Sequence, residues 1–272
     1  MPPHPVPQPT APEDPIEQFR VLWEVVQLLR RECPWDREQT HHSIAPLLIE
    51  EAYETVEAIR SGNARALAQE LGDLLLHVLM HSAIAQEHGE FRLSELIAAE
   101  TAKLVHRHPH VFGEATADSA REVKQRWEEL KLREGRQSVL EGIPAVLPAL
   151  LRAQRLQERA SSVGLDWTEK HAVWDKVEEE LAELRAALRS GIPERIAEEF
   201  GDVLFALVNA ARFEGLNAEE CLQRANEKFT QRFRYLEQRA AQQNLRLSEL
   251  PMEELDRLWE EAKRQEADTA PQ

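Results

Sequence analysis

Apolar residues recur three and four positions apart along most of the chain, a spacing that places them on one face of an α-helix. In the first half this spacing is interrupted at Ser61-Gly62-Asn63 and at His88-Gly89, where glycine favours a turn. A loop is predicted at about 33–42, with Ser43 capping the next helix and Pro46 in its first turn. The predicted helices span about 16–31, 43–60, 64–87, 93–107 and 118–134.

The second half shows the same helical pattern, so the sequence predicts an all-α protein with two domains. Its helices are expected at about 145–161, 169–189, 194–214, 217–241 and 252–266. Glycines and prolines between Gly135 and Pro144 mark the boundary between the two halves. The predicted organisation is a disordered tail at 1–15, a first domain at 16–135, a linker at 136–144, a second domain at 145–266 and a disordered tail at 267–272.

The two halves also share motifs. Glu50-Glu51-x-x-Glu54 recurs as Glu179-Glu180-x-x-Glu183, and Glu70-Leu71-Gly72-Asp73 recurs as Glu199-Phe200-Gly201-Asp202, both displaced by 129 positions. Basic and aromatic residues recur in the same order, each pair four residues apart: Lys103 and Arg107 with Lys228 and Arg232, and Trp127 and Lys131 with Trp259 and Lys263. Helical composition alone would not preserve these residue types in order, so we infer an internal duplication of two copies.

Charge and cysteine content narrow the function classes. Acidic residues outnumber basic ones by 49 to 33, which argues against binding to nucleic acid or to anionic lipid. No apolar run approaches the length of a membrane span, and the start lacks the layout of a signal peptide. Cys33 and Cys221 are too few for a disulfide framework, so free thiols in a reducing cytoplasm are expected.

The acidic motifs run into strongly apolar helices. Glu70 and Asp73 lead into residues 74–80, and Glu199 and Asp202 lead into a similar segment, so both helices are expected to be buried on nearly every side. Buried carboxylates are unfavourable unless they are paired or bind a metal. Because carboxylate oxygens suit a hard cation, magnesium is predicted, with manganese as an alternative. The competing interpretation is an ordinary acidic surface, since exposed like-charge pairs destabilise a helix by only ~0.2–0.5 kcal/mol.

Several motifs in a fixed order point to a known family. Residues 33–40 read CPWDREQT, residues 107–112 read RHPHVF, and residues 163–167 read VGLDW ahead of the second EExxE. With the paired EExxE and ExxD motifs, this order resembles the MazG family of nucleoside triphosphate pyrophosphohydrolases over nearly the whole chain. The resemblance implies two tandem MazG-type modules with four-helix-bundle cores completed by dimerisation. It also implies magnesium-dependent hydrolysis between the α and β phosphates, giving a nucleoside monophosphate and pyrophosphate.

The resemblance further implies the residues of the site. The metal ligands would be Glu179 or Glu180 with Glu183, Glu199 and Asp202, and in the first copy Glu50, Glu51, Glu54, Glu70 and Asp73. Glu180 is expected to orient and deprotonate the attacking water. Phosphate contacts are expected from Lys228, Arg232 and Lys263, with Trp259 packing on the base or forming the pocket wall. Their first-copy counterparts are Lys103, Arg107, Trp127 and Lys131, and without the resemblance solvated cations and core tryptophans would explain them equally well.

The two copies differ in their polar residues. Asn209 lies on the same helix face as Asp202, where its amide can read a base edge, whereas the first copy has Met80 there. The second copy is therefore predicted to hold the main catalytic site, and the first is either a second active site or a regulatory one. Most histidines of the first copy are expected to be structural, but His77 lies one turn after Asp73 and is a candidate ligand.

Three other classes of protein compete with this interpretation. A ferritin-like di-iron protein needs Glu-x-x-His on two helices, and that spacing occurs once, at Glu38 and His41 in a predicted loop. A noncatalytic helical scaffold would place every EExxE residue in solvent. Related all-α pyrophosphohydrolases of dUTP or phosphoribosyl-ATP share the carboxylate chemistry. The tandem copies and the CPWD segment favour the MazG-like alternative, with nucleotide-pool cleaning as the role.

Overall fold

The computed structural model describes residues 4–114, 116, 119, 122–123, 127, 138–243 and 245–269, with the backbone alone at 267–269. Every regular element in these ranges is helical, which confirms the predicted all-α fold. The chain divides into two compact units, a first unit at 1–117 and a second unit at 118–272. The helix predicted at 118–134 lies largely outside the described residues, and the predicted limits of the linker stay predictions.

The first unit contains six helices within its described residues. They are α1 (Pro15–Glu32), α2 (Pro34–Glu38), α3 (His41–Ser61), α4 (Ala64–His88), α5 (Leu93–Arg107) and α6 (Pro109–Phe112). Before α1, residues of the predicted disordered tail hydrogen bond to this helix, where Thr10 Oγ1 donates to Glu17 Oε2 at 2.7 Å. Helices α3 and α4 form a long hairpin, and α1 packs against α4.

The segment predicted as a loop at 33–42 differs from that prediction. Pro34 begins the short helix α2, because proline at the first helical position lacks an N–H that would in any case have no partner there. The cap of α3 is Thr40 rather than Ser43. Ser43 N donates to Thr40 Oγ1 at 3.1 Å and Thr40 N donates to Ser43 Oγ at 2.9 Å, a reciprocal capping box. Pro46 consequently lies in the second turn of α3 and not in its first.

A buried arginine fastens α2 to the rest of the first unit. Arg30 of α1 is 5% exposed, and its guanidinium forms an ion pair with Glu87 of α4, with Nε 3.0 Å from Glu87 Oε1. The same guanidinium donates to the carbonyl oxygens of Asp36 and Gln39. These bonds satisfy the arginine in its buried position and hold the CPWD segment against α1.

The second unit contains five α-helices and one short 3₁₀ helix within its described residues. They are α7 (Ala149–Ser162), α8 (Lys170–Ser190), α9 (Pro193–Phe213), α10 (Ala218–Gln242), the 3₁₀ helix (Leu247–Glu249) and α11 (Met252–Thr269). Helices α8 and α9 form a hairpin like that of α3 and α4, with Val173, Val177, Ala206 and Ala210 in its core. The predicted start of α7 at 145 is early, because Pro148 stands before the first helical residue.

The helices that carry the ExxD motifs are less buried than the sequence predicted. On α9, Val203 and Ala206 are buried, but Leu204 is 52% exposed and Phe205 is 46% exposed. On α4, Leu75 is also exposed. The helices that pack against α4 and α9 leave these side chains in solvent, so the expectation of burial on nearly every side is wrong for the single chain. Among the described helices, none is long and apolar enough to cross a membrane.

Candidate metal and nucleotide site

Each hairpin brings three carboxylates together. In the first unit they are Glu51 of α3 with Glu70 and Asp73 of α4, here called the first triad. In the second unit they are Glu180 of α8 with Glu199 and Asp202 of α9, here called the second triad. In both triads one carboxylate oxygen from each residue lies within 4.8 Å of the others. The EExxE motif thus supplies one acid to each triad and the ExxD motif supplies two.

The glycine in each hairpin turn explains why the motifs meet. Gly62 and Gly191 adopt φ values of +65° and +68°, a left-handed conformation that glycine adopts without strain. Glu51 and Asp73 lie eleven residues before and after Gly62, and the second triad keeps the same distances from Gly191. At a rise of about 1.5 Å per residue, equal counts along two antiparallel helices bring these acids to the same height.

Mutual repulsion is visible in the first triad. Partial burial raises the pKa of Glu51 above its usual range, and the charges of Asp73 and of neighbouring carboxylates raise it further. Burial likewise raises the pKa of Glu70, followed by the charges of Glu54 and Asp73 and a hydrogen bond with Glu54. A bound cation would relieve this repulsion, because it favours the ionised form of every member.

The second triad has the same electrostatic character with one added cation. Burial raises the pKa of Glu199, and the charges of Glu183 and Asp202 raise it further. Glu180 is only 7% exposed, and its carboxylate lies 2.7 Å from Lys176 Nζ on the preceding turn of α8. Asp202 is exposed, so the second triad combines the buried Glu180 with an acid that faces solvent.

The remaining predicted ligands fall into two groups. Glu54 and Glu183 lie close enough to their triads to shift the pKa of Glu70 and of Glu199, which places them beside the cluster. Glu50 and Glu179 are exposed and belong to neither triad, although the charge of Glu50 also contributes to the raised pKa of Glu51. Glu179 pairs instead with Lys176 Nζ at 2.8 Å.

The donor set of each triad fits a hard divalent cation. All ligand atoms are carboxylate oxygens, which Mg²⁺ and Mn²⁺ accept readily and which softer metals accept less well than imidazole or thiolate. Three acids leave coordination positions for water and for phosphate oxygens, as in sites where Mg²⁺ bridges protein and nucleotide. Such a cation supplies Lewis-acid stabilisation of charge that develops on a phosphate.

The predicted basic and aromatic residues of the second copy gather on α10 and α11. The Arg232 guanidinium lies 5.6 Å from the Trp259 ring centroid, and Phe229 packs against Trp259 at 5.3 Å between centroids. Arg232 is paired with Glu266, and Lys263 Nζ lies 2.5 Å from Glu260 Oε1. Lys228 is exposed on the same part of α10. The structure therefore brings Arg232 and Trp259 into one cluster with acidic partners around it.

The first-copy counterparts are less completely described. Lys103 on α5 is exposed and pairs with Glu100 one turn earlier. Arg107 ends α5 and is partly buried. Trp127 is partly buried and falls in the second unit, and Lys131 lies outside the described residues.

A pocket of about 530 Å³ is lined by Phe205, Asn209 and Arg212 of α9, the first of which follows Asp202 by three residues. Asn209 of α9 contributes its amide to the lining, and its Oδ1 accepts hydrogen bonds from Arg212 Nε at 3.0 Å and Nη2 at 2.8 Å. Arg212 also donates to Asp166, with Nη1 3.1 Å from Oδ2. Burial alone would raise the pKa of Asp166, but hydrogen bonds from Arg212 and Ser161 hold it below its usual range. The apolar lining includes Leu156, Leu165, Trp167 and Phe205.

Sequence reasoning named Asn209 and missed its partners. Arg212 follows Asn209 by three residues on the same helix face, and Asp166 belongs to the VGLDW segment. Both residues could be identified from the sequence, but the contact between them could not. In the first unit the equivalent Met80 is buried in the apolar core with Val26 and Leu79. Asn209 thus forms part of a polar pocket wall in the second unit, whereas Met80 fills a core position in the first unit.

Comparison with known proteins agrees with the arrangement of the motifs. The family described as the MazG nucleotide pyrophosphohydrolase domain matches residues 39–112 and 169–236, more than half of the chain, and each stretch holds one triad.

Similar proteins extend over nearly the whole chain. A nucleoside triphosphate pyrophosphohydrolase of Escherichia coli is 43% identical over 262 residues, covering 93% of this chain and 100% of the relative. A nucleoside triphosphate pyrophosphohydrolase/pyrophosphatase MazG of Thermotoga maritima is 43% identical over 250 residues, covering 90% of this chain and 95% of the relative. The uncharacterized protein YabN of Bacillus subtilis is 39% identical over 255 residues, covering 92% of this chain and 52% of the relative.

Proposed function

The chain belongs to the MazG family of nucleotide pyrophosphohydrolases, and we propose that it hydrolyses nucleoside triphosphates between the α and β phosphates to a monophosphate and pyrophosphate. The observation that carries this proposal is the second triad, three carboxylates held within 4.8 Å by the hairpin of α8 and α9. An acidic chain needs a local cation to accept a triphosphate, and the triad is built to hold one.

The metal is Mg²⁺, with Mn²⁺ as a substitute, held by Glu180, Glu199 and Asp202 with Glu183 alongside. The raised pKa of Glu199 supports this assignment. Burial and neighbouring carboxylates disfavour its ionised form, and a bound cation would stabilise that form. When bound, the metal offsets negative charge on the triphosphate and on the transition state. The first triad offers an equivalent set of donors in the first unit.

Glu180 is the residue we assign to the attacking water. Its carboxylate is buried and paired with Lys176 at 2.7 Å, so it is fixed in position by a contact on the preceding turn. A fixed carboxylate can accept a proton from water while the water attacks the α-phosphorus. Pyrophosphate then leaves with its charge on the oxygen that bridged the α and β phosphorus atoms.

Substrate contacts come from two groups of residues in the second unit. Lys228, Arg232 and Lys263 contact the phosphates, and Trp259 packs on the nucleotide or forms the wall beside it. Asn209 reads the base in the adjacent pocket, whose volume of about 530 Å³ falls in the range of small-molecule sites. The first unit has Met80 at the position of Asn209, so we assign the main catalytic site to the second unit.

The exposed apolar faces of the hairpins support a homodimer. Phe200 and Leu204 of α9 are half exposed in the single chain, although both stand beside residues of the triad motif. A second copy that covers this face would complete the bundle and exclude water from the carboxylates. Free Cys33 and Cys221 support a reducing cytoplasm, where the enzyme would clean the nucleotide pool.

The experiment is a hydrolysis panel with Mg²⁺ that resolves monophosphate and pyrophosphate from diphosphate and phosphate. The panel includes common and aberrant nucleoside triphosphates, dUTP and phosphoribosyl-ATP. Glu183→Gln is compared with Glu54→Gln, and the exposed Glu178→Gln is the matched control on α8. We expect pyrophosphate release to fall at least about 100-fold in Glu183→Gln and to persist in Glu178→Gln.

Each other outcome has a definite meaning. Equal loss in Glu54→Gln and Glu183→Gln would assign catalysis to both units. Diphosphate with inorganic phosphate as products would contradict the proposed bond cleavage. No pyrophosphate from any substrate would contradict the enzymatic proposal and favour a noncatalytic scaffold.

A further inference from the structure

Three histidines lie together in the hairpin of the first unit. His41 stands at the start of α3, and His77 and His81 follow each other by one turn on α4. The Nδ1 atoms of His41 and His81 are 2.7 Å apart, and their rings are stacked with centroids 5.0 Å apart. The His77 ring centroid is 6.3 Å from that of His81. His77 and His81 stand at i and i+4 on one helix and His41 lies on a neighbouring helix, a sequence spacing that metal-binding imidazoles use. His41 and His81 are already in contact, whereas the ligand atoms of all three rings do not yet lie within 4.8 Å of one another, so His77 must turn toward the pair to complete a site.

Polar atoms of this cluster are buried without hydrogen-bond partners. His77 is 9% exposed, and its Nδ1 has no partner among the described residues. The Nε2 atom of His81 is buried in the same way. Most buried polar atoms in folded proteins are paired, so the unpaired Nδ1 of His77, beside the His41–His81 pair, points to a missing ligand. Burial lowers the pKa of both His77 and His81, which keeps the rings neutral and able to coordinate.

A carboxylate stands behind the cluster. His41 points Nδ1 at His81, while its Nε2 lies 3.3 Å from Oε2 of Glu90, just after the end of α4. A histidine that binds a metal through one ring nitrogen commonly turns the other toward a carboxylate, which orients the ring and raises its basicity. Glu90 Oε2 lies within reach of His41 Nε2 but is not hydrogen bonded to it, so a small rotation of the ring on metal binding would make this bond.

The second unit shows that the hairpin does not need these histidines. At the equivalent positions, 129 residues later, it has Lys170, Ala206 and Ala210. Both alanines are buried in the packed hairpin. The imidazoles are thus an addition to a fold that forms with alanine at two of the three positions.

We propose that His41, His77 and His81 bind a transition-metal ion of the zinc class, with Glu90 as the outer-shell carboxylate. Imidazole nitrogens suit Zn²⁺, Co²⁺ or Ni²⁺, whereas the neighbouring first triad suits Mg²⁺. Metal–nitrogen bonds of about 2.0–2.1 Å in tetrahedral geometry separate two ligand atoms by about 3.4 Å, so the His41–His81 pair opens slightly on binding. The His77 side chain turns toward the pair to become the third ligand. The bound ion would join α3 to α4.

The test is a Co²⁺ titration of the full chain after treatment with a chelator, with Mg²⁺ in excess to fill the carboxylate triads. Tetrahedral nitrogen coordination gives intense visible absorption, whereas Co²⁺ surrounded by water and carboxylates absorbs weakly. We expect about one intensely absorbing Co²⁺ per chain, displaced by Zn²⁺. The absorption should disappear in His81→Ala and His41→Ala, and Glu90→Gln should weaken binding by about 10–100-fold.

Two controls keep the result interpretable. His42→Ala removes an exposed histidine beside His41 and should leave the absorption unchanged, as should Glu51→Gln, which alters the first triad alone. The helical circular dichroism of metal-free His81→Ala should equal that of the wild type, because alanine occupies the equivalent buried position 210 of the second hairpin. Weak absorption in the wild type, or full absorption in His81→Ala, would overturn the proposal whatever the outcome of the hydrolysis panel.

Discussion

Arg232 on α10 is held by Glu266 on α11, which accepts hydrogen bonds from Nε at 3.1 Å and from Nη2 at 2.7 Å. The pair orients the guanidinium above the Trp259 ring, in the cluster that we assign to the phosphates. Because the guanidinium has five donors, this arrangement leaves others for a nucleotide.

We predict that Glu266→Ala lowers kcat/KM by about tenfold, with most of the change in KM. The substitution leaves Arg232 charged but frees it to rotate, so substrate binding must order it. Steady-state kinetics check this prediction, and Arg264→Ala on the exposed side of α11 is the control. A variant with normal KM and kcat would show that Glu266 does not position Arg232 for substrate.

The second triad should destabilise the metal-free chain. A carboxyl whose folded pKa is raised binds protons more readily in the folded state, so stability falls as the pH rises from its unfolded pKa through its folded pKa. The direction of the Glu199 shift therefore predicts that Glu199→Gln melts at a higher temperature than the wild type near neutral pH in a chelator. The advantage should vanish below about pH 4, where the unfolded carboxyl is also protonated.

Thermal unfolding with and without Mg²⁺ checks this sign. Mg²⁺ should raise the melting temperature of the wild type more than that of Glu199→Gln, because the variant lacks one charged ligand. Glu178→Gln on α8 should behave like the wild type. A lower melting temperature for metal-free Glu199→Gln at neutral pH would contradict the proposed repulsion.

The pocket lined by Asn209 and Arg212 should control base selectivity. Asp166→Asn weakens the pair with Arg212, so Arg212 and the Asn209 amide that it contacts lose their fixed orientation. We predict an increase of about tenfold in KM and a change in the ranking of bases, with a smaller change in kcat. Competition between two triphosphates measures the ranking. Arg224→Ala, which breaks an exposed pair on α10, should leave it unaltered.

The hydrogen bonds and ion pair of Arg30 should contribute to the stability of the first unit. Arg30→Met keeps an apolar stem but leaves two carbonyl oxygens and Glu87 without their donor, so we predict a loss of about 2 kcal/mol in the free energy of unfolding. Arg20→Met breaks pairs that are more exposed and should change the free energy of unfolding much less. Urea unfolding measures both, and equal losses would contradict the role assigned to Arg30.

Local spacing predicted much of this structure, and tertiary contacts explain what it missed. Most helices begin and end near their predicted limits, because apolar periodicity and glycine turns act within a few residues. The pairing of Glu199 with Asp202 follows from i, i+3 spacing. By contrast, the Arg212–Asp166 pair and the His41–His81 contact join residues 46 and 40 positions apart, so no local pattern predicts them. The short helix at Pro34 is held by Arg30, which donates hydrogen bonds to carbonyl oxygens of that segment.

The number of residues in the hairpin around Gly191 determines whether the second triad can form. Glu180 and Asp202 are eleven residues from Gly191 on either side, so one inserted residue would rotate one of these acids by about 100° around its helix. Most side chains between them could be exchanged at little expense to the triad, whereas a single insertion or deletion would separate its members. Natural variation in this hairpin should therefore consist of substitutions at constant length. The 23-residue stretch from Glu180 to Asp202 should therefore keep its three acids together when it is grafted into another antiparallel helical scaffold.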